Sequence, residues 1–68
     1  MTVAAQVKQC LASLKGAQAD LETFALQTQN QRAKQLYTDA ARQTGSVVDI
    51  LQTRITAIEQ EEPQYKGF

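Results

Sequence analysis

The chain has 68 residues, seven basic against seven acidic, with no histidine and one cysteine. That length allows one domain at most, with a small private core, and the even charge balance without a run of Lys or Arg excludes the electrostatic footprint of a nucleic-acid binder. Without histidine, a Gly-rich phosphate loop, a Ser-centred elbow or a second cysteine, the sequence points to a non-enzyme with no cofactor, no metal and no internal disulfide.

In chain order, Met1 to Lys8 lacks a basic segment followed by an apolar run, so a soluble, cytoplasmic chain that is not exported by the general route is expected. Apolar residues then fall at Val3, Val7, Cys10, Leu14, Ala17, Leu21 and Phe24. Steps of four and three place them on one helical stripe, widened by Leu11 and Ala25. With Thr2 as N-cap, a helix over about 3–28 is expected. Cys10 lies on this stripe and reads as a small buried apolar group. A second row, Ala5, Ala12, Ala19 and Leu26, is flanked by Lys8, Lys15 and Glu22. It fits a close helix approach as well as plain helix-forming alanine.

Continuing the first stripe at the same spacing lands on Gln31, Gln35, Thr38, Arg42, Gly45, Asp49 and Gln52, none of which is a large apolar residue. The apolar residues restart instead at Ala33, Leu36, Tyr37, Ala40, Val47, Val48, Leu51, Ile55 and Ile58, about two residues out of phase. A straight rod would split its apolar surface between two faces. A turn near Gln29 and Asn30 lets the stripes face each other, with Asn30 as N-cap of a second helix over about 31–61. Ala40, Thr44, Val47 and Leu51 run past Gly45 without a phase change, so the helix is expected to continue through it. Tyr37 reads as a packing residue on the seam. At 1.5 Å per residue the helices are roughly 39 and 45 Å long, matched as an antiparallel hairpin requires.

Leu36, Ile50 and Ala57 flank one side of the second stripe, and Val48 and Ile55 the other, an arc about 160° wide that a single neighbouring helix cannot cover. The expectation is an all-α antiparallel hairpin (domain 1–62) dimerising into a four-helix bundle. Its oligomer core is assigned to Val7, Leu14, Leu21, Phe24, Val47, Leu51, Ile55 and Ile58. Glu59, Glu61 and Glu62 form an acidic group that reads as a solvated helix end. Pro63 stops the helix, and 63–68 is an extended aromatic tail. Pro63, Tyr65, Lys66 and Phe68 are assigned to docking on a partner.

Several segments carry a resemblance: Thr2-Val3, Gln6-Val7-Lys8-Gln9, Leu14-Lys15-Gly16-Ala17-Gln18, Phe24-Ala25-Leu26-Gln27-Thr28-Gln29, Ala33-Lys34 and Glu62-Pro63-Gln64-Tyr65-Lys66-Gly67-Phe68. Together they resemble a family of short uncharacterised proteins of endospore-forming bacteria, often encoded beside SpoVA channel proteins, a YhcN-like lipoprotein and small membrane proteins. Asn30 stands where relatives are expected to carry Asp, a change that keeps the N-cap role. The resemblance implies a forespore or spore-core protein, with the inner spore membrane as a further site of action, and carries over no catalytic or ligand residue.

Two functions are therefore weighed. One is a self-assembling structural protein of the spore. The other is an accessory subunit docking on a spore inner-membrane protein and modulating transport or membrane properties, without inserting in the membrane itself. The mass of the purified chain in solution discriminates between them.

Overall fold

The computed structural model describes residues 3–61. The expected N-cap Thr2 and the tail residues Pro63, Tyr65, Lys66 and Phe68 lie outside the described residues. Helix α1 spans Val3–Gln27 and α2 spans Gln31–Glu61, so the expected pair of helices is present and α2 runs unbroken through Gly45.

Both helices are rich in Ala, Leu and Gln, good helix formers, while threonine and serine compete for backbone hydrogen bonds and would normally weaken them. Here that competition is absorbed locally. The hydroxyls of Thr23, Thr38, Thr44, Ser46, Thr53 and Thr56 each donate to the carbonyl four residues back, at 2.8–3.3 Å.

Between the helices stand three residues, Thr28, Gln29 and Asn30. The Thr28 N–H donates to the Phe24 carbonyl (3.0 Å) and closes α1, while the Asn30 N–H donates to the Thr28 hydroxyl (3.2 Å). Asn30 then caps α2 as expected: its side-chain oxygen accepts from the Ala33 N–H at 2.9 Å, and its carbonyl accepts from the Lys34 N–H at 2.9 Å. A connection this short leaves α2 no course but back along α1, and the molecule measures 48 × 17 × 12 Å.

The seam between the helices has the 3.5-residue spacing of a coiled coil. From α1 it takes Ala4, Val7, Leu11, Leu14, Gln18, Leu21 and Ala25, and from α2 Tyr37, Ala41, Thr44, Val48, Leu51, Ile55 and Ile58. Its centre is Leu11, Val48 and Ile55, the last 2% exposed, with Val7, Leu14 and Leu51 packed against them.

Half of the expected α1 stripe is therefore displaced by one residue. Val7, Leu14 and Leu21 are shared, but Ala4, Leu11, Gln18 and Ala25 point inward where Val3, Cys10, Ala17 and Phe24 were expected. Cys10, read as buried, is exposed. On α2, Val48 is buried and its neighbour Val47 is exposed. The cause is visible at mid-seam, where Gln18 interrupts the inward row. A Cβ on Gly45 would stand 2.9 Å from the Gln18 amide nitrogen, so the missing side chain at Gly45 makes the room that admits Gln18.

Candidate interaction surface

In an antiparallel pair, the residues that immediately precede seam positions in both helices emerge on one side of the hairpin, and those that immediately follow emerge on the other. The two sets differ sharply in chemistry.

The preceding set is Val3, Gln6, Cys10, Ser13, Ala17, Asp20 and Phe24 from α1, with Leu36, Ala40, Gln43, Val47, Ile50, Arg54 and Ala57 from α2. Apolar residues dominate it. Leu36 and Ile50 are 65% and 67% exposed, and Val3, Phe24 and Val47 are exposed with them. Asp20 and Arg54 are its charged members, both exposed. Half-buried Val7, Leu14, Leu21 and Leu51 at the seam border this side and extend its apolar surface inward.

At the turn end the side rises to an aromatic pair. The Phe24 and Tyr37 rings meet edge to face, with centroids 5.6 Å apart and planes at 61°, a favoured arrangement. Tyr37 thus packs, as its place on the seam predicted.

The following set is Ala5, Lys8, Ala12, Lys15, Ala19, Glu22 and Leu26, with Thr38, Arg42, Gly45, Asp49, Gln52, Thr56 and Glu59. Six of these are charged. Lys8 donates to Glu59 at 2.9 Å, joining the start of α1 to the end of α2, and Arg42 pairs with Asp39 of its own helix. Glu59, first read as part of a solvated acidic helix end, is a cross-helix ion-pair partner. The row Ala5, Ala12, Ala19 and Leu26 lies on this side, with Leu26 80% exposed at the edge of a shallow groove that Lys34, Thr38 and Ala41 also line.

The residues assigned to an oligomer core thus separate into three groups. Ile55 and Ile58 are covered within the hairpin itself. Val7, Leu14, Leu21 and Leu51 lie at its edge, and Phe24 and Val47 stand open on the apolar side. Val3, Leu36 and Ile50 join them there. Leu36 and Ile50 had signalled this by lying off the central α2 stripe, while Val3 had been placed in the seam. No helix among the described residues is long and apolar enough to cross a membrane.

Residues 7–55, more than two thirds of the chain, match the model of a family described as protein of unknown function (DUF1657). No curated protein and no solved structure matches the chain.

Proposed function

The chain belongs to the DUF1657 family of proteins of unknown function, and from that footing we propose that it is a non-enzymatic, self-assembling structural protein whose hairpins pair through their apolar sides into a four-helix bundle. The observation that carries this reading is that five of the six exposed large apolar residues among the described residues, Val3 and Phe24 with Leu36, Val47 and Ile50, emerge on one side of the hairpin, Leu26 alone standing on the other. A scatter of single exposed apolar residues needs no explanation, but a contiguous side rimmed by polar residues marks an interaction site.

Its dimensions fit. Extents of 48 and 17 Å outline a side of about 800 Å², so a second hairpin covering its length and width buries area on the scale of a standard interface. A second hairpin laid on it supplies the two further helices that the wide apolar arc requires.

The setting we propose is the forespore or spore core, and it rests on the resemblance to proteins of endospore formers set out above.

Light scattering on the purified chain tests the self-association. A folded species of at least twice the 7.5 kDa chain mass is expected. A monodisperse, helical 7.5 kDa species would end this reading and turn attention to the accessory subunit docking on a spore membrane protein.

A further inference from the structure

We propose that the second copy lies end for end on the first, related by a twofold axis across the width of the hairpin, so that the two turns are at opposite ends of the assembly. This deepens the pairing reading and rests on it. The apolar side is uneven along its length. Its turn end carries the bulk, in Phe24, Leu36 and Tyr37, with Asp39 at the outer edge of α2. Its middle carries the smaller aliphatic Val47 and Ile50 beside Ala17 and Thr44, and its far end carries Val3, Val7 and the cation Arg54.

With copies pointing the same way, α1 of one covers α2 of the other, and both aromatic pairs fall at one level, bulk on bulk, while the far ends stand apart. Arg54 then meets Gln6, Val7 and Cys10 of the second copy, a patch with no acidic group to receive it.

Turning the second copy end for end changes every one of these contacts. Helix α1 covers α1 and α2 covers α2, and residues the same distance either side of the middle are brought together. Phe24 lands on the second copy's Val3 and Val7, and Val47 meets its own counterpart. Arg54, seven residues beyond Val47, comes to rest over the second copy's Ala40, with the Tyr37 ring within reach of its long side chain for a cation–π contact. The face fits itself better in this sense.

Spin labels at the turn measure the arrangement directly. In the full chain carrying Cys10→Ser and Gln29→Cys, the end-for-end dimer places the two labels about 45 Å apart by pulsed dipolar spectroscopy, against about 20 Å or less with both turns at one end. A short distance in a dimer overturns the proposal while leaving self-association intact. Loss of the dipolar signal together with a monomeric mass sinks the pairing reading itself.

Discussion

Two residues of rotation, one on either side of the seam, separate the two sides of this hairpin, and most of the charge sits on one of them. Positions just before the seam carry Val3, Phe24, Leu36, Val47 and Ile50, whereas positions just after it carry Lys8, Lys15, Glu22, Arg42, Asp49 and Glu59. Both sides border the same core and use the same helices. A helix with one neighbour needs a single inward stripe, so the extra apolar flank adds little to the hairpin and is the surface the proposed pairing would cover. On the charged side, by contrast, Lys8 pairs with Glu59 within the chain, and Arg42 with Asp39.

The largest effect should come from breaking the seam that both sides share. Ile55→Asp places an unpaired charge at its most buried point and is expected to cost several kcal/mol, enough to abolish helical circular dichroism in a small domain. Leu51→Asp, at the half-buried edge, should be nearly as damaging. Wild-type helicity in both variants would mean that the seam has been drawn through the wrong residues.

Next come substitutions that tell the sides apart. Val47→Lys should keep the hairpin helical yet weaken association by about 2–3 kcal/mol, read as a fall in mass by light scattering. Thr56→Lys, on the charged side, should leave the mass unchanged. The reverse result would exchange the roles of the two sides.

Truncation after Glu62 tests the tail, which lies outside the described residues. With Tyr65 and Phe68 docking on a neighbouring molecule, as expected from the sequence, a folded helical dimer that no longer forms higher-order species results. Unchanged assembly size in sedimentation would remove the tail from that role.

Smaller still is the cap. Asn30→Ala removes the acceptor of the Ala33 N–H and should cost about 1 kcal/mol, seen as a fall of several degrees in Tm. Least of all is the Lys8–Glu59 pair. With both side chains partly exposed it contributes about 0.5 kcal/mol, so Lys8→Met should lower stability slightly at low salt and hardly at all in 1 M salt. An equal loss at both salt concentrations would show that the Lys8 chain packs rather than pairs.

The turn was legible in the sequence because it breaks the apolar phase: the spacing that ends at Phe24 cannot be continued past Asn30, whatever residues fill the gap. The hidden part was which edge of the α1 stripe turns inward. Ala17 keeps the row Val3, Cys10, Ala17, Phe24 intact, and Gln18 interrupts the row Ala4, Leu11, Gln18, Ala25, so periodicity favours the former. That the glutamine is admitted depends on a glycine 27 residues away on the other helix, which no local pattern reports. Val47 and Val48 posed the same problem, two adjacent valines of which one has to face out. The apolar side itself was legible only as an excess, an arc too wide for one neighbour. Which residues compose it depended on the choice of inward edge.

Gln18 against Gly45 also bears on how far the helices slide along each other. A seam repeating every 3.5 residues tolerates, in principle, a slip of one heptad with an apolar core still formed. Slipped by seven residues, Gln18 would face Thr38 or Gln52 in place of a glycine, and its flexible amide end would have to turn aside. The contact thus favours the observed register by a modest margin. In that register Lys8 reaches Glu59 and Phe24 meets Tyr37, contacts near the two ends of the rod.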